Sequence, residues 1–341
     1  MIKKPIISLL GITTVLGQNV LKAADIAKPF GKTGEDVTRT NGVTKLYRFK
    51  QGFTVVDAAT SAVKQLLFGK ELHTSEIRGI FGSSNFTSAT LMPTFTSTVA
   101  HKAGLRDVVS DHIGLGCAGG MQAFRNLFNQ MVVDASRGRY GYYLLVTGDE
   151  VRHIINPQDY NTNIFFSEGA CAALFSNFPD ERGAAYTVET VATKCLLDDA
   201  YNMISIVNPL VARDGAVPYM VMNNREVCKF GLEVMKNIEQ LLFDEQVFDL
   251  HRHYFIPHQA NLRLLQKMME TGKFDANRFY TEGIETVGNL LNSSVFFGLR
   301  DVISSGWHEL GNTPVALGAF GAEKQVGVAV LHPVNPENLL V

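Results

Sequence analysis

Apolar strand-like runs alternate with helical patterns along almost all of this 341-residue chain, and no linker rich in Pro, Gly or Ser interrupts them. That alternation narrows the fold most: it calls for a sheet covered by helices, an α/β or layered αβα protein. The order of the runs adds a second constraint. After Cys117 come a loop, then Met121, Phe124, Leu127, Phe128, Met131 and Val132 in helical register, then apolar strands at 142–150 and 169–175. After Asn289 the pattern returns, with Val295, Phe296, Leu299, Val302 and Ile303 on one helical face closed by Gly306. Strands at 313–321 and 326–332 follow. Such repetition reads as an internal duplication with a boundary near residue 180, and so as halves 1–180 and 181–341.

Composition closes off several classes of function. Hydrophobic residues make up 46% and charged residues 19%, and a formal net charge of −2 without like-charge runs gives nucleic acid no electrostatic footing. The opening "MIKKPIISLLGITTVLG" is broken by Gly11, Thr13 and Thr14, so residues 6–10 read as a first buried strand and not as a signal peptide. Nowhere do eighteen apolar residues run together, so no membrane span is expected. The cysteines at 117, 171, 195 and 228 lack metal-type spacing, and His251 with His253 has no acidic or cysteine partner at helical spacing. No metal is expected, and reduced thiols place the chain in a cytoplasm.

One loop holds the chemistry. In "DHIGLGCAGGMQAF" (111–124) the glycines spell G-x-G-x-x-G around Cys117. A dinucleotide loop needs an unbroken apolar strand running into its first glycine, and Asp111 and His112 interrupt this one. It also needs an acid at the end of the next strand about 20 residues on. Asp134 belongs to the helix, and Asp149 lies 30 residues beyond Gly119. The same glycines suit a nucleophile mount. A thiol in a first helical turn feels the positive helix end, which is expected to lower its pKa, and its N–H can face a developing oxyanion. The plainer alternative is a small buried apolar side chain.

A nucleophilic thiol needs a base and donors nearby. His258 sits where the short strand Tyr254–Ile256, closed by Pro257, turns into a helix carrying Leu262, Leu265, Met268 and Met269. Asn289 follows a glycine just ahead of the last amphipathic helix, where it is either a cap or a neutral amide donor.

Cysteine in "GCAGG", histidine in "PHQAN" and asparagine in "GN", in that order, make the sequence resemble the ketosynthase III family. These are the beta-ketoacyl-acyl-carrier-protein synthase III enzymes of the thiolase superfamily. "TRTNGV" (38–43), "NPQDYNTNIFFSEGACAALF" (156–175) and "LGAFGAEKQVGVAVL" (317–331) extend the resemblance over nearly the whole chain. It implies a five-layered αβαβα thiolase fold of two pseudo-duplicated halves, assembled as a homodimer and needing no cofactor beyond its acyl substrate. By the family pattern Cys117 takes an acyl group from a CoA or carrier-protein thioester. His258 and Asn289 bind the carbonyl of a malonyl-type second substrate, and the N–H groups of Cys117 and Ala322 form the oxyanion hole. Arg39 and Arg263 match positions that contact CoA or carrier. Met92 matches one that reaches across the dimer to the partner's acyl tunnel.

The sequence also departs from the pattern. Glu35 stands near the place of a tryptophan that stacks on the CoA adenine, and Tyr160 replaces an arginine. Gly321-Ala322-Glu323 replaces a glycine triplet. These changes point to a carrier-bound or unusual donor in a specialised biosynthetic pathway. Two rivals keep the same residues in view: acyl transfer to a hydroxyl, amine or non-malonyl acceptor, and a non-catalytic partner subunit of a condensing enzyme.

Overall fold

Alternate residues of the same strands face two different cores, and this stacks the chain in layers. The computed structural model describes residues 5–85, 92–196, 203–206, 219–243, 252–304, 312–321 and 324–334. The strands that matter are β1 (Ser8–Leu16), β2 (Ile77–Ser83), β3 (Val109–Ile113), β4 (Tyr142–Asp149) and β5 (Gly169–Ser176) in one group. β6 (Tyr186–Cys195), β7 (Tyr254–Pro257), β8 (Val315–Phe320) and β9 (Gln325–Pro333) form the other. The helices are α1 (Gly34–Asn41), α2 (Val55–Gly69), α3 (Phe95–Ala103), α4 (Gly119–Ser136), α5 (Asn224–Phe243), α6 (Leu262–Gly272) and α7 (Ser294–Ser304).

Among the described residues these strands hydrogen-bond in the order β7-β8-β9-β6-β1-β5-β4-β2-β3. In β4 and β5, Tyr143, Leu145, Ala173 and Phe175 face a central core with Phe124, Leu127 and Met131 of α4 and Val295, Phe296 and Leu299 of α7. The residues between them, Leu144, Val146, Ala172 and Leu174, face an outer core with Val63 and Leu66 of α2 and Val99 of α3. β8 and β9 behave alike. Leu317, Ala329 and Leu331 join the central core. Ala316, Val328 and Val330 meet Ile238 of α5 and Leu265 and Met268 of α6. Strands buried on both faces need continuous apolar runs, which these sequences supply. The result is the five-layered αβαβα stack, with α4 and α7 in the middle layer. Removing a large middle-layer ring such as Phe124 or Phe296 should cost about 3–5 kcal/mol.

The two strand groups share a plan. β2 runs parallel to β3 and β4, and β4 antiparallel to β5. In the second group β7 is parallel to β8, which is antiparallel to β9. Phe279 bridges Phe255 in parallel, at the place where β3 pairs with β2. β1 and β6 pair at Ser8–Thr187 and Leu9–Tyr186, joining the groups at the centre. β1 extends to Leu16, through the threonines that interrupt its apolar run, because β5 pairs with it along almost its full length.

Candidate active site

Each of the three residues sits on a corner whose neighbours hold it in place. A single 3₁₀ turn, Gly116–Ala118, carries Cys117 immediately ahead of α4. The first turn of α4 is pressed against the segment leading into α7: a methyl group on Gly120 would lie 2.4 Å from the Asn292 carbonyl oxygen, so only glycine fits. The glycines here serve close packing between two helix starts. Asn85 Nδ2 donates to the Gly116 carbonyl at 3.0 Å, and the Asn85 N–H donates to Asp149 at 2.7 Å. Asn292 Nδ2 also donates to Asp149, at 2.8 Å, so this buried carboxylate ties β4 to both helix starts.

His258 follows β7, its N–H donating to the Gly318 carbonyl at 2.7 Å. Its neighbour Gln259 fastens the corner, donating to the carbonyls of Pro257 and Tyr280 and accepting from the Ile284 N–H. Asn261 caps α6 through the Leu264 N–H. "PHQAN" is thus a complete strand-to-helix joint, with proline to end the strand and asparagine to start the helix. The imidazole is 2% exposed, with Phe320 edge-on at 5.2 Å and Nδ1 without a hydrogen-bond partner among the described residues. Burial pushes its pKa down to about 3, so the ring is neutral at physiological pH.

The Asn289 backbone is stitched to the 165–167 segment by hydrogen bonds with the Phe165 carbonyl and the Ser167 N–H. Its Oδ1 accepts from the Leu291 N–H at 2.8 Å. That bond sets the orientation of the carboxamide, and its NH₂ group finds no acceptor among the described residues.

All three side chains line one cavity of about 210 Å³, walled by Phe165, Phe166, Met203, Leu264 and Phe320. A second chamber of about 450 Å³ opens on the same sulfur, lined by Ser84, Asn85, His112, Gly114 and Leu291. A methyl group on Gly321 would stand 3.1 Å from the Cys117 nitrogen and 2.8 Å from that of Ala118. The strand end after β8 therefore lies directly against the turn's N–H groups. Ala322, the other expected oxyanion donor, lies outside the described residues.

One expectation is corrected. Cys117 does not have a lowered pKa: burial, with the Asp149 carboxylate adding to it, pushes the thiol up to about 12. Desolvation of a thiolate in an apolar pocket outweighs what the helix start offers. The resting pair is a neutral thiol and a neutral imidazole.

The remaining candidates lie further out. Arg39 is exposed on α1 in an ion pair with Asp36 at 2.6 Å, and Arg263 is exposed at the start of α6. Neither lines the first cavity, although their chain neighbours Thr40, Asn261 and Leu264 do. Met92 lines neither chamber of its own chain and is 83% exposed. Glu35 is exposed in the first turn of α1, and Tyr160 packs on Phe30 with its hydroxyl unpartnered among the described residues. Cys171 is buried, Cys195 is exposed, and exposed Cys228 lines the first cavity. His251 lies outside the described residues, among which no group of three His, Cys, Asp or Glu could hold a metal. No described helix is long and apolar enough to cross a membrane. Asp149, Asn85 and Ser84 are site neighbours that the sequence pattern does not reveal. A strand ending in Gly-Asp-Glu was the only signal for the first, and the other two carry none.

Residues 113–193 match the family described as 3-oxoacyl-[acyl-carrier-protein (ACP)] synthase III, and residues 250–332 match its C-terminal family. The beta-ketoacyl-[acyl-carrier-protein] synthase III of Sulfurimonas denitrificans is 22% identical over 321 residues, covering 93% of this chain and 95% of that one. The crystal structure of 3-oxoacyl-[acyl-carrier-protein] synthase III from Aquifex aeolicus superposes with a TM-score of 0.82 at 19% identity, covering 96% and 99% of the two chains. The priming beta-ketosynthase of the R1128 polyketide biosynthetic pathway superposes at 0.85 with 18% identity, covering 98% of each.

Proposed function

The chain belongs to the beta-ketoacyl-acyl-carrier-protein synthase III family of acyltransferases, and on that premise we propose that it condenses an acyl group held on Cys117 with a malonyl-type thioester. The observation that carries this is the convergence of a thiol, a neutral imidazole and an oriented carboxamide on one largely apolar cavity.

In the first half-reaction the Cys117 sulfur attacks the donor's thioester carbonyl, and the carbon–sulfur bond to the donor breaks. The thiol proton leaves with the donor's sulfur, relayed by His258. The Cys117 N–H, with that of Ala322, takes the transient oxyanion. In the second, the bond from the malonyl carbon to its carboxylate breaks and CO₂ departs. The electron pair becomes an enolate whose oxygen accepts hydrogen bonds from His258 Nε2–H and the Asn289 amide. The enolate carbon attacks the acyl carbonyl, and the Cys117 sulfur leaves as a thiolate that takes one proton from water to restore the thiol. Neutral donors suit this step. A cation would hold the substrate's carboxylate and stabilise the ground state, whereas two neutral N–H groups favour the charge as it forms.

Exposed Arg39 and Arg263 suit the anionic carrier portion of CoA or of a carrier protein. Exposed Glu35 and aromatic Tyr160, where an adenine stack and a cation are usual, favour a carrier-bound donor and a specialised pathway. The reading includes a homodimer, supported by the exposure of Met92 and by the edge strand β3, where Val109 is 47% exposed. It also includes two thiolase-like halves meeting near residue 180, and a cytoplasmic setting that suits the free thiols of Cys117, Cys171 and Cys228.

The test supplies a malonyl thioester to the acyl-loaded protein. Release of CO₂ with a product two carbons longer is expected. Transfer of the acyl group to an alcohol or amine without CO₂ would favour the rival transferase. No adduct with any donor would leave the scaffold subunit.

A further inference from the structure

Asp149 is a buried carboxylate that the two half-reactions above do not use. It ends β4 at 1% exposure, and the work of its two oxygens is divided. Oδ1 accepts from the Asn85 N–H at 2.7 Å, and Asn85 Nδ2 donates to the Gly116 carbonyl at 3.0 Å, next to Cys117 in the chain. Oδ2 accepts from Asn292 Nδ2 at 2.8 Å, and more weakly from Asn85 Nδ2 at 3.4 Å. Asn292 is fixed from its other end, its Oδ1 accepting from Ser293 Oγ at 3.3 Å. The segment it belongs to needs holding. Leu291, directly before it, has a φ of +48°, a left-handed conformation that a bulky side chain keeps only where its surroundings impose it. The Leu291 N–H is also the donor that orients the Asn289 carboxamide, at 2.8 Å. Releasing Asn292 would let Leu291 relax and turn that N–H away from Asn289.

We propose that Asp149 is a positioning residue for both half-reactions: one carboxylate steadies the Cys117 turn through Asn85 and the Asn289 amide through Asn292. This deepens the condensation proposed above and rests on it. A carboxylate suits the joint because the groups it receives from Asn85 and Asn292 are all N–H donors, and both of its oxygens accept. A side-chain amide of the same shape would offer one oxygen and one NH₂. The Asn85 N–H belongs to the backbone and cannot be reversed, so the oxygen of that amide would stay with it. The NH₂ would then oppose Asn292 Nδ2, donor against donor, in a place without water access. The arm to Cys117 would hold, and the arm to Asn289 would not.

The test follows acyl loading of Cys117 by intact mass, and CO₂ release from a malonyl thioester by the loaded protein. Asp149→Asn should slow CO₂ release about tenfold or more, the effect of a small misplacement of one donor, and change loading less than about threefold. Combining Asp149→Asn with Asn292→Asp exchanges donor and acceptor across the same gap, and should return CO₂ release to within about threefold of the native rate. A role in packing alone would not be repaired by that exchange. Asp149→Ala loosens both arms and should slow loading about tenfold as well; the two exchange variants carry the test if it does not fold. CO₂ release at the native rate by Asp149→Asn would overturn this proposal alone, and so would a double variant no faster than the single one. A native protein that loads Cys117 yet releases no CO₂ would overturn the condensation reading and this proposal with it.

Discussion

The start of α4 and the segment leading into α7 meet at the centre of the molecule from equivalent places in the two strand groups, yet one presents a thiol and the other an amide. Ahead of α4, Cys117 lies in a tight turn, against Gly321 and close to the buried Asp149 carboxylate. Ahead of α7, Asn289 has its oxygen engaged by Leu291 and its NH₂ group left over. The difference separates two kinds of work. On the proposed function the first corner makes and breaks a covalent bond, so it needs a side chain that can gain and lose a proton. On the same proposal the second holds charge that arises elsewhere, so it needs a donor that never titrates. Asparagine meets that requirement at any pH.

If the corners divide the work in this way, damage to one should spare the other's half-reaction. Asn289→Ala should slow malonyl decarboxylation by about 10²–10³-fold, the range for losing one oxyanion donor, while acyl loading changes much less. Parallel stopped assays of CO₂ release and adduct formation check this, and equal losses in both would erase the distinction. The thiol corner can be probed by pH. With the Cys117 pKa raised, the thiolate fraction below about pH 12 grows about tenfold per unit. Alkylation of Cys117 by iodoacetamide should therefore climb steadily from pH 6.5 to 9, and a plateau near pH 7 would restore the lowered pKa that helix position alone led us to expect. The smallest effect concerns Gly321→Ala, which places a methyl against the Cys117 and Ala118 nitrogens. Loading should fall about tenfold or less, a few tenths of an ångström of displacement costing on the order of 1 kcal/mol, with decarboxylation of malonyl thioester by comparison preserved.

How much of this could be read in the residues depends on distance along the chain. The strands 142–150 and 169–175 were legible because both faces of β4 and β5 are buried, which writes an unbroken apolar run into the sequence. The corners at Cys117 and His258 were legible because strand end, glycine or proline, and helix start lie within a few residues. The Cys117 acidity was not. Its main causes are burial and Asp149, and the latter comes from a strand 32 residues away. Ser84 and Asn85 were silent for the same reason. They reach Cys117 because β2 and β3 run in parallel with Ser83 opposite Ile113, a register that no local pattern reveals.

The central claim is that Cys117 carries the acyl group, and peptide mapping by mass after brief incubation with acyl-CoA and acyl-carrier donors tests it most directly. The account predicts an acyl mass on the peptide bearing Cys117, absent from Cys117→Ala and discharged by malonyl thioester. An acyl mass that persists on the protein when Cys117 is alanine would contradict it.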